Sequence, residues 1–134
     1  MAKSVNGTKI RDGYKQSIDV NNIFETMRYI AMKKHPEHVI PILPSIERVF
    51  PLVSGQAGNW IFTGARWGNI GLIKAAAALG KDAGPVIASM KRMLPEIKNR
   101  SQKGRDAKTY QAALDAVTKA IEDYEKQYGV VKLG

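Results

Sequence analysis

Residues 49–79, VFPLVSGQAGNWIFTGARWGNIGLIKAAAAL, decide how the chain is read. In a sequence that is 25% charged, this stretch carries only Arg66 between Arg48 and Lys74, apart from Lys74 itself. Five glycines (Gly55, Gly58, Gly64, Gly68, Gly71) and both tryptophans (Trp60, Trp67) fall inside it. Wound as a helix, Trp60, Gly64, Trp67, Gly71 and Ala78 share one stripe at three-or-four spacing. Ile61, Ala65, Gly68, Leu72, Ala75 and Leu79 form an aliphatic and small-residue stripe beside it. Asn59, Thr63, Arg66 and Lys74 gather on a minority polar face, so the segment is amphipathic. The four alanines at 75–78 favour helix most strongly, and Gly80 is placed to cap it. The turn-rich run 54–59 predicts a loop over 51–58, with the helix starting near Asn59.

Each glycine inside a helix costs about 1 kcal/mol relative to alanine, so Gly64, Gly68 and Gly71 together cost roughly 3 kcal/mol. Such a cost implies a surface packed close to bare backbone. Another helix of the same chain, a second copy of the chain, or a membrane can provide it. Trp60, Gly64, Trp67, Gly68 and Gly71 are therefore the candidate oligomer interface. A lipid-facing anchor fits poorly, because Asn, Gln, Gly and Arg stand where Leu, Ile and Val belong.

Outward from this stretch, 134 residues suffice for one domain with a real core. No cysteine is present, which excludes disulfides, thiolate chemistry and iron–sulfur clusters. The net charge of +9, from 21 Lys and Arg against 12 Asp and Glu, favours polyanionic neighbours. Residues 1–18 read as a basic arm, and residues 19–134 as a single helical domain. The start of the chain lacks an apolar core, so a secretory signal is not expected. The expected location is the cytoplasm, or a particle packaged there.

A first helix is predicted over about 19–34, with Ile23, Phe24, Met27, Ile30 and Ala31 on its apolar side. Four prolines between 36 and 51 restrict that segment to short helical pieces. Another helix starts near Pro85, with Pro95 kinking or restarting it. The last runs from an Asp106 cap to Tyr128, with Tyr110, Leu114, Val117, Ile121 and Tyr124 on one face. The short apolar tail after Gly129 either folds back or docks on another subunit. The fold expected is all-α: a small bundle of four to five helices with an extended basic N-terminal arm.

Residues 91–105 hold six cations, Lys91, Arg92, Lys98, Arg100, Lys103 and Arg105, against Glu96 alone. This is the candidate nucleic-acid surface. It has no aromatic side chain for base stacking, so any contact is with phosphates. His35 and His38 are too sparsely supported by other donors to suggest a metal site. No phosphate loop, nucleophile elbow or zinc motif occurs, and no cofactor or small-molecule substrate is implied. The expected function is a non-enzymatic structural protein that self-associates through the Gly/Trp segment and lies near DNA or RNA. A small virion component or an envelope channel for DNA delivery fits, with membrane contact a lesser option. The alternative is a small basic regulator that grips nucleic acid through residues 91–105.

Overall fold

The computed structural model describes residues 35–53, 55–63 and 71–133, and the described residues form an all-α fold. The expected arm 1–18 and helix 19–34 lie outside them, as do Gly64, Arg66, Trp67 and Gly68. Two 3₁₀ turns, Pro36–Ile42 and Phe50–Leu52, flank helix α1 (Leu43–Val49). Helices α2 (Gly55–Thr63) and α3 (Leu72–Leu79) follow, then a 3₁₀ turn (Gly80–Ala83). Two long helices, α4 (Gly84–Gln102) and α5 (Ala107–Tyr128), complete the order. The broken start is what four prolines dictate, since each removes a backbone donor.

α4 and α5 form the frame. Arg100 meets Tyr110 and Lys91 meets Glu125, so the two helices run antiparallel. Val86, Ile87, Met90, Met93 and Ile97 on α4 are buried at helical spacing, as are Tyr110, Ala113, Val117 and Ile121 on α5. α1, α2 and α3 close over this hairpin, and Phe50 and Phe62 meet edge to face at 5.0 Å in the shared core.

The structure corrects four local expectations. The first is that 51–58 is not a loop: α2 begins at Gly55, whose φ of 55° turns the chain into it. The long helix from Asn59 through the alanines is also interrupted, because Gly71 is extended (φ −75°, ψ 174°) ahead of α3. Trp60 and Gly71 therefore do not share a helical stripe. Next, α4 does not restart at Pro95 but continues through it, with Pro95 on the exposed side and Met93 and Ile97 on either side buried. Finally, Asp106 occupies the N-cap position without a side-chain capping bond. Its φ/ψ of −100° and 15° lie outside the extended region from which a carboxylate reaches the first-turn amides.

Candidate nucleic-acid and assembly surfaces

The six cations of residues 91–105 do not form one surface. Lys91 Nζ donates to Glu125 Oε2 and to the Val131 carbonyl, both at 2.7 Å. The Val131 amide donates to the same carboxylate at 2.8 Å, so the tail folds back on α4 and α5. The Lys91 hydrogen bond, then the Val131 amide, lowers the Glu125 pKa.

Arg92 grips Glu47 of α1 with Nε and Nη2, at 2.8 and 2.9 Å. This is a two-pronged pair, the strong form of a charge-assisted contact. Ser89, fully buried, donates its hydroxyl to the same carboxylate. The Arg92 hydrogen bond is the main reason the Glu47 pKa sits below its ordinary 4.5, with Ser89 adding to it against the cost of burial.

Arg100 turns inward. Its guanidinium lies 4.7 Å from the centre of the Phe50 ring and 5.3 Å from that of Tyr110. It donates to the carbonyls of Phe50, Pro51 and Val53, to Tyr110 Oη at 2.9 Å and to Glu96 Oε2 at 2.9 Å. A 3₁₀ turn ends with carbonyls that lack helical partners, and Arg100 supplies their donors from α4. Burial works against its charge, but Glu96 and Tyr110 outweigh that and raise its pKa. Burial raises the Tyr110 pKa in turn.

The remaining three stay in solvent. Lys98 and Lys103 are exposed, and their side chains have no partner among the described residues. The Arg105 side chain is 86% exposed, with Asp106 Oδ1 at 3.5 Å. Lys108, exposed in the first turn of α5, joins this end of the hairpin. Sequence reasoning missed Lys108 because it stopped at the loop, whereas the returning helix extends the basic tip.

Among the described glycines of the central stretch, Gly55 and Gly58 turn their bare backbone inward. A Cβ on Gly58 would stand 2.1 Å from Tyr110 Oη, and one on Gly55 would stand 3.3 Å from Asp106 Oδ2. These two glycines let α2 lie close against α5. Trp60 is half-buried, and Gly71 is buried at the start of α3. Of the polar face, Thr63 Oγ1 donates to the Asn59 carbonyl at 3.3 Å, while Asn59 Oδ1 is buried without a partner. Lys74 is exposed on α3, so it does not share a helix with Asn59 and Thr63 of α2.

A surface that the sequence did not suggest lies between α3 and α5. There an apolar groove of about 430 Å³ is lined by Ile73, Ala76, Ala77, Ala116 and Ala120, with Tyr124 and Tyr128 at one end. Tyr124 Oη donates to the Lys81 carbonyl at 2.7 Å, and the two tyrosine rings lie 4.9 Å apart. Lys119 and Asp123 pair at 2.8 Å on the rim, with side chains 75% and 63% exposed.

His35 and His38 stack at 5.2 Å beside Glu37, but no cluster of three or more metal-ligating side chains occurs among the described residues. No helix among the described residues is long and apolar enough to cross a membrane. No family model, curated protein or solved structure matches the chain.

Proposed function

We propose that this chain is a non-enzymatic assembly protein that self-associates and lies against nucleic acid, as a small particle or envelope-channel component would. The observation that carries the reading is the sorting of the cations. Phosphate contact requires positive side chains that are in solvent and not already neutralised. Lys91, Arg92 and Arg100 are held in internal pairs. Lys98, Lys103 and Lys108, around the turn between α4 and α5, are exposed with no side-chain partner among the described residues, and Arg105, 86% exposed, has only Asp106 at 3.5 Å. Residues 98–109 contain no aromatic side chain, so binding is to the backbone and independent of sequence. The self-association half draws support from the groove beside α3, an apolar surface lined by described residues of both α3 and α5.

Duplex binding followed by fluorescence anisotropy over a salt series tests the reading. Four phosphate contacts give a log–log salt slope of about −3.6, and the K98Q/K103Q/R105Q variant should fall to about −1. These side chains are exposed, so the variant keeps its fold. An affinity and slope unchanged in that variant would refute the assignment of the tip. Light scattering on size-exclusion fractions, with and without DNA, reads the assembly half.

A further inference from the structure

We infer that Leu52, on the turn Phe50–Leu52, is a wedge that enters the base stack of a duplex held by the neighbouring cations, and so kinks it. The inference rests on the nucleic-acid reading above and adds an apolar contact to it. Leu52, Tyr128, Val130 and Leu133 are the exposed large hydrophobic side chains among the described residues. The last three belong to the end of α5 and the tail after it. Leu52, 54% exposed, stands at the opposite end, beside the turn between α4 and α5. Two separate contacts put it there. Arg100, near the end of α4, donates to the Phe50, Pro51 and Val53 carbonyls on both sides of Leu52. A Cβ on Gly55, which opens the next helix, would stand 3.3 Å from Asp106 Oδ2 at the start of α5. Exposed Lys98, Lys103, Arg105 and Lys108 each lie within three positions of Arg100 or Asp106 in sequence.

The turn is mounted rigidly. Phe50 is 1% exposed, with its ring edge to face against Phe62 at 5.0 Å and 4.7 Å from the Arg100 guanidinium. Pro51 fixes its own backbone angle. One side of the turn is therefore clamped in the core, while Pro51 and Leu52 are exposed. Leucine and proline are among the side chains that part a base step, and parting it costs stacking energy. A wedge meets that cost only if it does not retreat and if phosphate contacts beside it hold the bent duplex. Leu52 has the mount and the flanking cations. It responds to deformability rather than to base letters, in keeping with contact to the backbone alone. An anionic bilayer fits less well: one leucine is a far smaller anchor than a myristoyl chain, which itself binds only marginally. The stretches 1–34 and 64–70 join the described residues elsewhere. α2 runs alongside α5 from Gly55 to Thr63, about 12 Å at 1.5 Å per residue, and the turn after His35 packs on α3.

Duplexes of about 20 base pairs, one matched and one with a central mismatch, test this through end-to-end energy transfer and anisotropy. The native chain should shorten the end-to-end distance. It should bind the mismatched duplex about tenfold tighter, because the stack there is already weakened. Leu52→Ser should lose both the shortening and the preference, yet keep the salt slope of about −3.6. Leu52→Met keeps an apolar wedge and should keep both. Leu52 is exposed, so both variants should fold, which circular dichroism checks. Duplex binding with the same preference and end-to-end distance in the native chain and L52S overturns the wedge and leaves phosphate contact standing. A native chain that binds no duplex overturns both. Leu52-dependent binding to phosphatidylglycerol vesicles, with no shortening of the duplex, overturns the wedge in favour of a lipid surface.

Discussion

Gly58→Ala reverses the usual sign of a helical glycine substitution. In an open helix interior the change is worth about 1 kcal/mol in favour of alanine. Here the new methyl would stand 2.1 Å from Tyr110 Oη, with Cζ at 3.1 Å and Cε1 at 3.3 Å, against an ordinary contact of 3.4–4 Å. The phenol oxygen must therefore withdraw by at least about 1.3 Å, the difference between 3.4 and 2.1 Å. It has little room, because its ring packs near Phe50 and its oxygen accepts from Arg100 at 2.9 Å. Overpacking costs about 1–3 kcal/mol, and a lost hydrogen bond to a charged group about 1.5–3 kcal/mol. Against the propensity gain, the net expectation is destabilisation by about 2 kcal/mol. For a chain of this length that lowers the melting temperature by roughly 8 °C. Urea unfolding of G58A, Y110F and the double variant measures it. Removing the phenol oxygen eliminates the worst overlap, so the double variant should be more stable than the two single changes sum to, by about 1 kcal/mol or more. A G58A chain as stable as the native one, or additive behaviour in the cycle, would refute the claim that α2 seats on α5 through this glycine.

Other consequences follow from the internal cations. Arg100→Gln leaves the Phe50, Pro51 and Val53 carbonyls short of donors and should cost about 2–4 kcal/mol by urea unfolding, without changing the salt slope for DNA. The depressed Glu47 pKa gives a pH dependence of stability. The unfolded carboxyl titrates near 4.5 and the folded one lower, so the contribution is present above 4.5 and lost as pH falls through the folded value. Melting temperature should drop over that acid window, and Glu47→Gln should flatten the drop. Cutting the chain after Gly129 removes the Val131 carbonyl and amide from Lys91 and Glu125. Amide exchange at the end of α5 should then accelerate, while the tip variants still govern DNA binding.

Much of the fold was written in local pattern. Prolines broke the start of the domain into short turns, Gly80 and Gly129 ended their helices, and the α5 face from Tyr110 to Ile121 was readable by its spacing. The excess of cations over acids was equally plain in the letters. What local pattern could not supply was the partner of each group. Residues 54–59 read as a turn because glycine permits one, yet tertiary contact with α5 holds Gly55–Thr63 in a helix. Asp106 had the chemistry of a cap but not the backbone angles. Lys91, Arg92 and Arg100 looked like Lys98 and Lys103 along the chain. Their partners Glu125, Glu47 and the carbonyls of 50–53 lie 34 to 50 positions away in sequence. Charge and periodicity are properties of neighbouring letters, so the sequence alone determined a basic all-α protein. Which cations stay in solvent, which glycines are covered and where a groove remains open depend on chain segments meeting across the fold, and the tertiary structure decided those.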